Sequence, residues 1–128
     1  INKINPEIIY THHAGDLNID HQRTFEAVIT ACRPVGDYSV KEIYAFETPS
    51  STEWNFNYEE NSFDPNMFVD IEETIDAKLE AMKCYTSEIR DYPHPRSLKA
   101  LKTIAARWGT VVGKKYVEAF ELIRQVKD

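Results

Sequence analysis

Residues 7–34 read EIIYTHHAGDLNIDHQRTFEAVITACRP, and residues 42–47 read EIYAFE. These two stretches decide the fold class. Ile8, Ile9 and Tyr10 are β-branched or aromatic and Pro6 marks their near edge, so residues 7–11 are predicted to form a short strand. The polar run 12–18 follows, with Gly15 as its bend. A helix is predicted to start between Asn18 and Asp20, either of which can cap it. Its apolar stripe is Phe25, Val28, Ile29 and Cys32, and Arg33-Pro34 ends it. Counting back four from Phe25 lands on His21, in the first turn, where backbone N–H groups lie open. After a turn through Gly36-Asp37, the almost continuous apolar run Ile43, Tyr44, Ala45 and Phe46 predicts a second strand over 42–47.

Further along, Trp54, Phe56 and Tyr58 alternate with Asn55 and Asn57, as an edge strand or an aromatic-rich loop would. Residues 61–65 read as a turn and 67–71 as a short strand. Ile75, Leu79, Met82, Tyr85 (or Thr86) and Ile89 recur at three and four and predict one long helix. It ends before Tyr92-Pro93-His94-Pro95, because a residue preceding proline is pushed out of the helical region. Another helix runs from about Ser97, with Leu98, Leu101, Ile104, Ala105 and Trp108 inward and Gly109 at its end. Over 116–126 the positions of Phe120, Leu122 and Ile123 fit a helix face about as well as a strand. This order of elements predicts an α/β layered domain with some parallel pairing.

The chain has 128 residues, 42% of them hydrophobic and 12% aromatic, which is one domain's worth and argues against disorder. Fifteen Lys and Arg against 21 Asp and Glu leave a net charge of −6, which argues against a surface made for nucleic acid. No apolar run approaches the roughly 20 residues that span a bilayer, so no membrane partner is expected. Cys32 and Cys84 both sit in amphipathic patterns, so a reduced, cytoplasmic setting is expected. The chain opens Ile1-Asn2-Lys3 without a Met, as a processed protein, an excised domain or the downstream piece of a longer one would.

The polar clusters after Tyr10 and after Phe46 are both strand exits, and the carboxyl ends of strands carry the ligand site in such sheets. Residues 11–21 hold His12, His13, His21, Asp16 and Asp20, donors that suit zinc, although their spacing matches no zinc-finger, HExxH or EF-hand pattern. His21 is a metal ligand or a satisfied core histidine. His12 and His13 point to opposite faces if the strand continues, so at most one faces a site. Asp20 could be a ligand, or the outer carboxylate that orients an imidazole. Asp16 caps a turn by the Asx mechanism or contacts substrate. Glu47 ends a buried-looking strand, where an unpaired carboxylate is costly, and is expected near a metal or a sugar hydroxyl. Ser50, Ser51 and Thr52 read equally as turn formers. His94, held between two prolines, is a positioned catalytic group or part of a rigid connector. Arg96 balances a substrate or a neighbouring acid. Trp54 stacks on a sugar face or covers an edge, whereas Trp108 is core by periodicity.

Residues 11–34, above all His12-His13-Ala14-Gly15-Asp16-Leu17-Asn18-Ile19-Asp20-His21 with Cys32-Arg33-Pro34, resemble the second conserved block of the PIG-L/LmbE-like zinc-dependent de-N-acetylases. Phe46-Glu47-Thr48-Pro49-Ser50-Ser51-Thr52-Glu53-Trp54 resembles the block after the following strand in the bacterial branch. Phe63, Pro65 and Asn66, then 68–71, then Lys83, Tyr85, Glu88, Arg90 and 92–97, then Gly113, Tyr116 and 118–120 resemble the family's C-terminal half. The resemblance implies a Rossmann-like enzyme that hydrolyses the N-acetyl group of an N-acetylglucosamine-type amino sugar or glycoside. In that family zinc is held by a His and an Asp of an amino-terminal Ala-His-Pro-Asp-Asp block and by the His closing the second block, which corresponds to His21. Asp20 is then the acidic residue beside the ligand, and Asn18 stands where several members carry an oxyanion-stabilising His.

This chain has no Ala-His-Pro-Asp-Asp block. The resemblance therefore casts residues 1–128 as the C-terminal portion of a single LmbE-like domain, with a sheet incomplete on its N-terminal side. The expected catalytic residues are Asp20, Asn18 and His94, the substrate-binding residues Asp16, Glu47, Arg96 and Trp54, the metal ligand His21 and the cofactor zinc. Activity is expected to require an upstream segment, and association is expected with that missing N-terminal segment or with a second copy as homo-oligomer partner. The alternative is a non-catalytic fragment or interaction domain that pairs through an exposed sheet edge.

Overall fold

Strands β1 (Ile8–His12) and β2 (Glu42–Phe46) lie side by side in parallel, with Ile8 opposite Glu42 and His12 opposite Phe46. Parallel neighbours need a crossover. Here it contains α1 (Ile19–Ala31), capped by Asn18, whose side chain accepts from the backbone N–H of Asp20. The computed structural model describes residues 1, 3–36, 40–56 and 62–127. Asp37, Tyr58 and Asn61, part of two predicted turns and of the aromatic alternation, lie outside the described residues. The remaining elements are β3 (Met67–Asp70), α2 (Ile75–Lys83), α3 (Leu98–Val112) and β4 (Val117–Gln125). The four strands are ordered β1-β2-β4-β3, and β4 runs antiparallel to β2 with a bulge between Ile43 and Tyr44. The fold is mixed α/β.

The chain packs as two compact units, Ile1–Met67 with Phe120–Asp128, and Phe68–Ala119. In the first, Cys32, Val40 and Ile43 form the core, with Ile9, Val28 and Ile29 packed against it. The predicted stripe of α1 therefore reaches this core through Val28, Ile29 and Cys32. Arg124 closes the cluster by donating to the carbonyls of Cys32 and Val40 at 2.8 and 2.7 Å. In the second unit Ile71, Ile75 and Ala105 are buried together, flanked by Leu79 and Tyr116.

Two expectations are corrected, and two alternatives left open are settled. The helix predicted through Ile89 stops at Lys83, because Tyr85 is 63% exposed and finds no apolar surface to hold a further turn. Of the segment left open between helix and strand, residues 117–125 form β4, a choice settled by pairing with β2. Gly109 does not end its helix. α3 continues to Val112 and is closed by Gly113 at φ +72°, while Gly109 is buried where the chain returns past it. Trp54 and Phe56 lie in turn and irregular backbone rather than a strand. No helix among the described residues is long and apolar enough to cross a membrane.

Candidate functional site

Parallel pairing in register brings the exits of β1 and β2 to one edge of the first unit, and buried Asp16 ties them together. Its Oδ1 accepts from the backbone N–H of Asn18 at 3.0 Å and from the Ser51 hydroxyl. Its Oδ2 accepts from the Thr52 hydroxyl at 3.0 Å. The loops are stitched further: Asn55 donates to the Gly15 carbonyl, the Asn18 N–H also reaches Ser51 Oγ at 3.2 Å, and Gln22 donates to the Asp16 carbonyl at 2.6 Å. Burial by itself would raise the Asp16 pKa. The hydrogen bonds from Ser51, Asn18 and Thr52, with the His21 ring close by, outweigh it and hold the carboxyl below the ordinary Asp value. With no exposed surface, Asp16 anchors two loops, and its bond from the Asn18 N–H is the Asx cap that the sequence offered beside substrate contact.

His21 projects from the first turn of α1, and its Nδ1 lies 3.2 Å from Asp16 Oδ2, close but without the alignment of a hydrogen bond. Its ring stacks on that of His12, centroids 4.0 Å apart and planes 22° apart. His12 also has a buried, unpartnered Nδ1. Burial, followed by the neighbouring His21 imidazole, lowers the His12 pKa against the pull of Asp16. His13 turns to the other side, as strand alternation requires. It is 5% exposed, and its Nδ1 lies 2.7 Å from Glu121 Oε2. The other oxygen of Glu121 accepts from the Asp64 N–H at 2.8 Å.

Of the remaining candidates in this unit, Asn18 is exposed and uses its side-chain oxygen to cap α1. Asp20 is exposed in the first turn, where a negative charge suits the helix dipole. Glu47 is half-buried directly after β2, and Trp54 is 42% exposed six residues beyond Thr48. In the second unit His94 Nδ1 accepts from the Arg96 N–H at 3.1 Å, within the turn that leads into Ser97, the cap of α3. The Arg96 guanidinium pairs with Glu88. Arg96 is thus engaged by an acid of its own unit. Sequence reasoning missed Ser51, Thr52 and Glu121 as partners of the polar cluster. The parallel register was the signal for the first two, since it sets the two exits side by side.

Catalytic zinc is generally held by three protein ligands. Among the described residues no group of three or more His, Cys, Asp or Glu is disposed to hold a metal ion. Rings stacked as His12 and His21 are direct their in-plane lone pairs alongside one another rather than toward one point. The donors among the described residues do not make up a whole zinc site.

No protein-family model matches the chain, and no curated protein matches it in sequence. Among solved structures it is similar to the conserved protein TT1542 from Thermus thermophilus, with a TM-score of 0.73 over 98% of this chain and 19% identity. This chain spans 56% of that chain's length. At such identity the likeness shows a shared α/β fold and no more.

Proposed function

We propose that this chain is part of a zinc-dependent de-N-acetylase of the PIG-L/LmbE-like kind, acting on an N-acetylglucosamine-type amino sugar within a Rossmann-like domain completed by an upstream segment. The observation that carries the reading is the cluster at the strand exits, where His21, in the first turn of α1, meets buried Asp16 and the His12 ring. A bound zinc polarises a carbonyl and lowers the pKa of its water to about 7. In this reading His21 contributes one imidazole ligand, and the upstream segment contributes the other two ligands and the general base. Asn18 and Asp20 lie at the N-terminus of α1, where the helix dipole favours developing negative charge. Glu47 and Trp54 are assigned to the hydroxyls and the apolar face of the sugar. No step is assigned to His94 or Arg96.

Zinc content and acetate release test this, measured on the chain alone and on the chain joined to the coding segment upstream. The joined protein is expected to hold zinc, to lose it in His21→Ala, and to release acetate from an N-acetylglucosamine derivative. The chain alone is expected to release none even with added zinc, because general-base transfer alone is worth about 10²–10⁴-fold. Unchanged zinc in His21→Ala, or a robust chelator-sensitive rate from the chain alone, overturns the proposal.

A second reading, a non-catalytic domain that pairs through a sheet edge, is favoured by β1. This strand stands at one end of the strand order, with Ile8 and Tyr10 47% and 51% exposed. It requires association at high micromolar concentration, and a strictly monomeric sedimentation profile would count against it.

A further inference from the structure

The two oxygens of Asp16 face different partners. Oδ1 takes the backbone N–H of Asn18 and the Ser51 hydroxyl, whereas Oδ2 takes the Thr52 hydroxyl and faces Nδ1 of His21 at 3.2 Å. A hydroxyl can swing its proton to another acceptor, but a backbone N–H cannot. Asn18 therefore fixes which way the carboxylate points. An ionised carboxylate only accepts, so a ring nitrogen held beside it is stabilised when it carries the proton and repelled when it presents a lone pair. The His21 Nδ1 is buried and has no aligned partner, which leaves Asp16 Oδ2 as the polar atom disposed to set its protonation.

We propose that Asp16 is a positioning residue for His21: it keeps the proton on Nδ1 and so leaves Nε2 as the lone-pair nitrogen. The stacked ring of His12 sets the plane in which this happens. Adjacency in sequence suggested Asp20 for the orienting role, but Asp20 is exposed and lies on the helix turn. A carboxylate that fixes the tautomer of a ligating imidazole from behind is a general device of metal sites. The consequence for metal binding rests on the reading of His21 as a zinc ligand. The tautomer itself is a property of the metal-free chain.

Long-range ¹H–¹⁵N correlation spectra of the histidine rings, recorded on the full metal-free chain at about pH 8, where ordinary imidazoles are neutral, test the assignment. Wild-type His21 is expected to show a protonated-type shift at Nδ1 and a bare-type shift at Nε2. In Asp16→Asn the Oδ1 position keeps its two donors, so the amide nitrogen takes the place of Oδ2 and donates to the ring. His21 is then expected to invert, with the proton on Nε2. His13, whose Nδ1 is held by Glu121, should not change and serves as the internal control. Thr52→Val removes a donor to Oδ2 without offering the ring a new one, and should leave the wild-type pattern. A wild-type His21 protonated on Nε2, or an Asp16→Asn chain that keeps Nδ1–H, overturns the proposal. If Asp16→Asn fails to fold, the wild-type and Thr52→Val spectra still decide it. Failure to take up zinc would refute the functional reading and leave this assignment standing, whereas an Nε2–H wild type would do the reverse.

Discussion

Replacing Gly109 by Ala sets two quantities of opposite sign against each other. Gly109 lies inside α3, four residues before its left-handed cap at Gly113. On propensity alone an interior Gly→Ala change stabilises a helix by about 1 kcal/mol. A Cβ built at Gly109, however, would stand 2.9 Å from the Lys115 carbonyl oxygen and closer still to that of Lys114. Non-bonded heavy atoms settle at about 3.5–4.0 Å, so the overlap is on the order of 1 Å. Both obstacles are backbone, and no rotamer change relieves them. Overpacking costs about 1–3 kcal/mol, and a backbone clash belongs at the upper end. The net expectation is a loss of about 2 kcal/mol, which for an m-value of about 2 kcal/mol/M lowers the urea midpoint by about 1 M. Thr103→Ala, at an exposed position of the same helix, is the control and should stay within about 0.5 kcal/mol. A Gly109→Ala chain stabilised by the propensity value would refute the close approach of 114–115 to α3.

Asp16→Ala should cost about 3 kcal/mol, because it leaves buried donors without the acceptor they served. The measurement is denaturant unfolding. The depressed Asp16 pKa gives a stabilisation that is present above the ordinary Asp value and lost as pH falls through the folded-state value. Asp16→Asn should therefore flatten the acid limb of the stability–pH curve below about pH 4. Ser97→Ala removes the oxygen that accepts from the Ala100 N–H at 3.1 Å and should cost about 1 kcal/mol. The Tyr44 hydroxyl donates to Glu42 Oε2 at 2.6 Å and its pKa is pushed up to about 12, by that bond first and then by burial. Ultraviolet titration should find Tyr44 ionising late, and Glu42→Gln should return it toward the ordinary value.

What could be read in one dimension was local. The β-branched and aromatic run 8–10, the Asn18 cap and the three-and-four spacing of Val28, Ile29 and Cys32 settled β1, α1 and the side of α1 that packs inward. The helix start near Ser97 and His21 in the first turn were legible for the same reason, since helix ends and helix phase depend on residues within one turn. The apolar spacing beyond Met82 promised more helix than forms, because periodicity records which side chains align and not whether a surface waits for them. Only the tertiary structure decided that residues 117–125 pair with β2, that Gly109 admits a returning chain, and that Ser51 and Thr52 converge on Asp16 from some 35 positions away. Each depends on strands meeting in a particular register. That register is fixed by burial and hydrogen bonding summed over distant segments, a quantity no window of sequence contains.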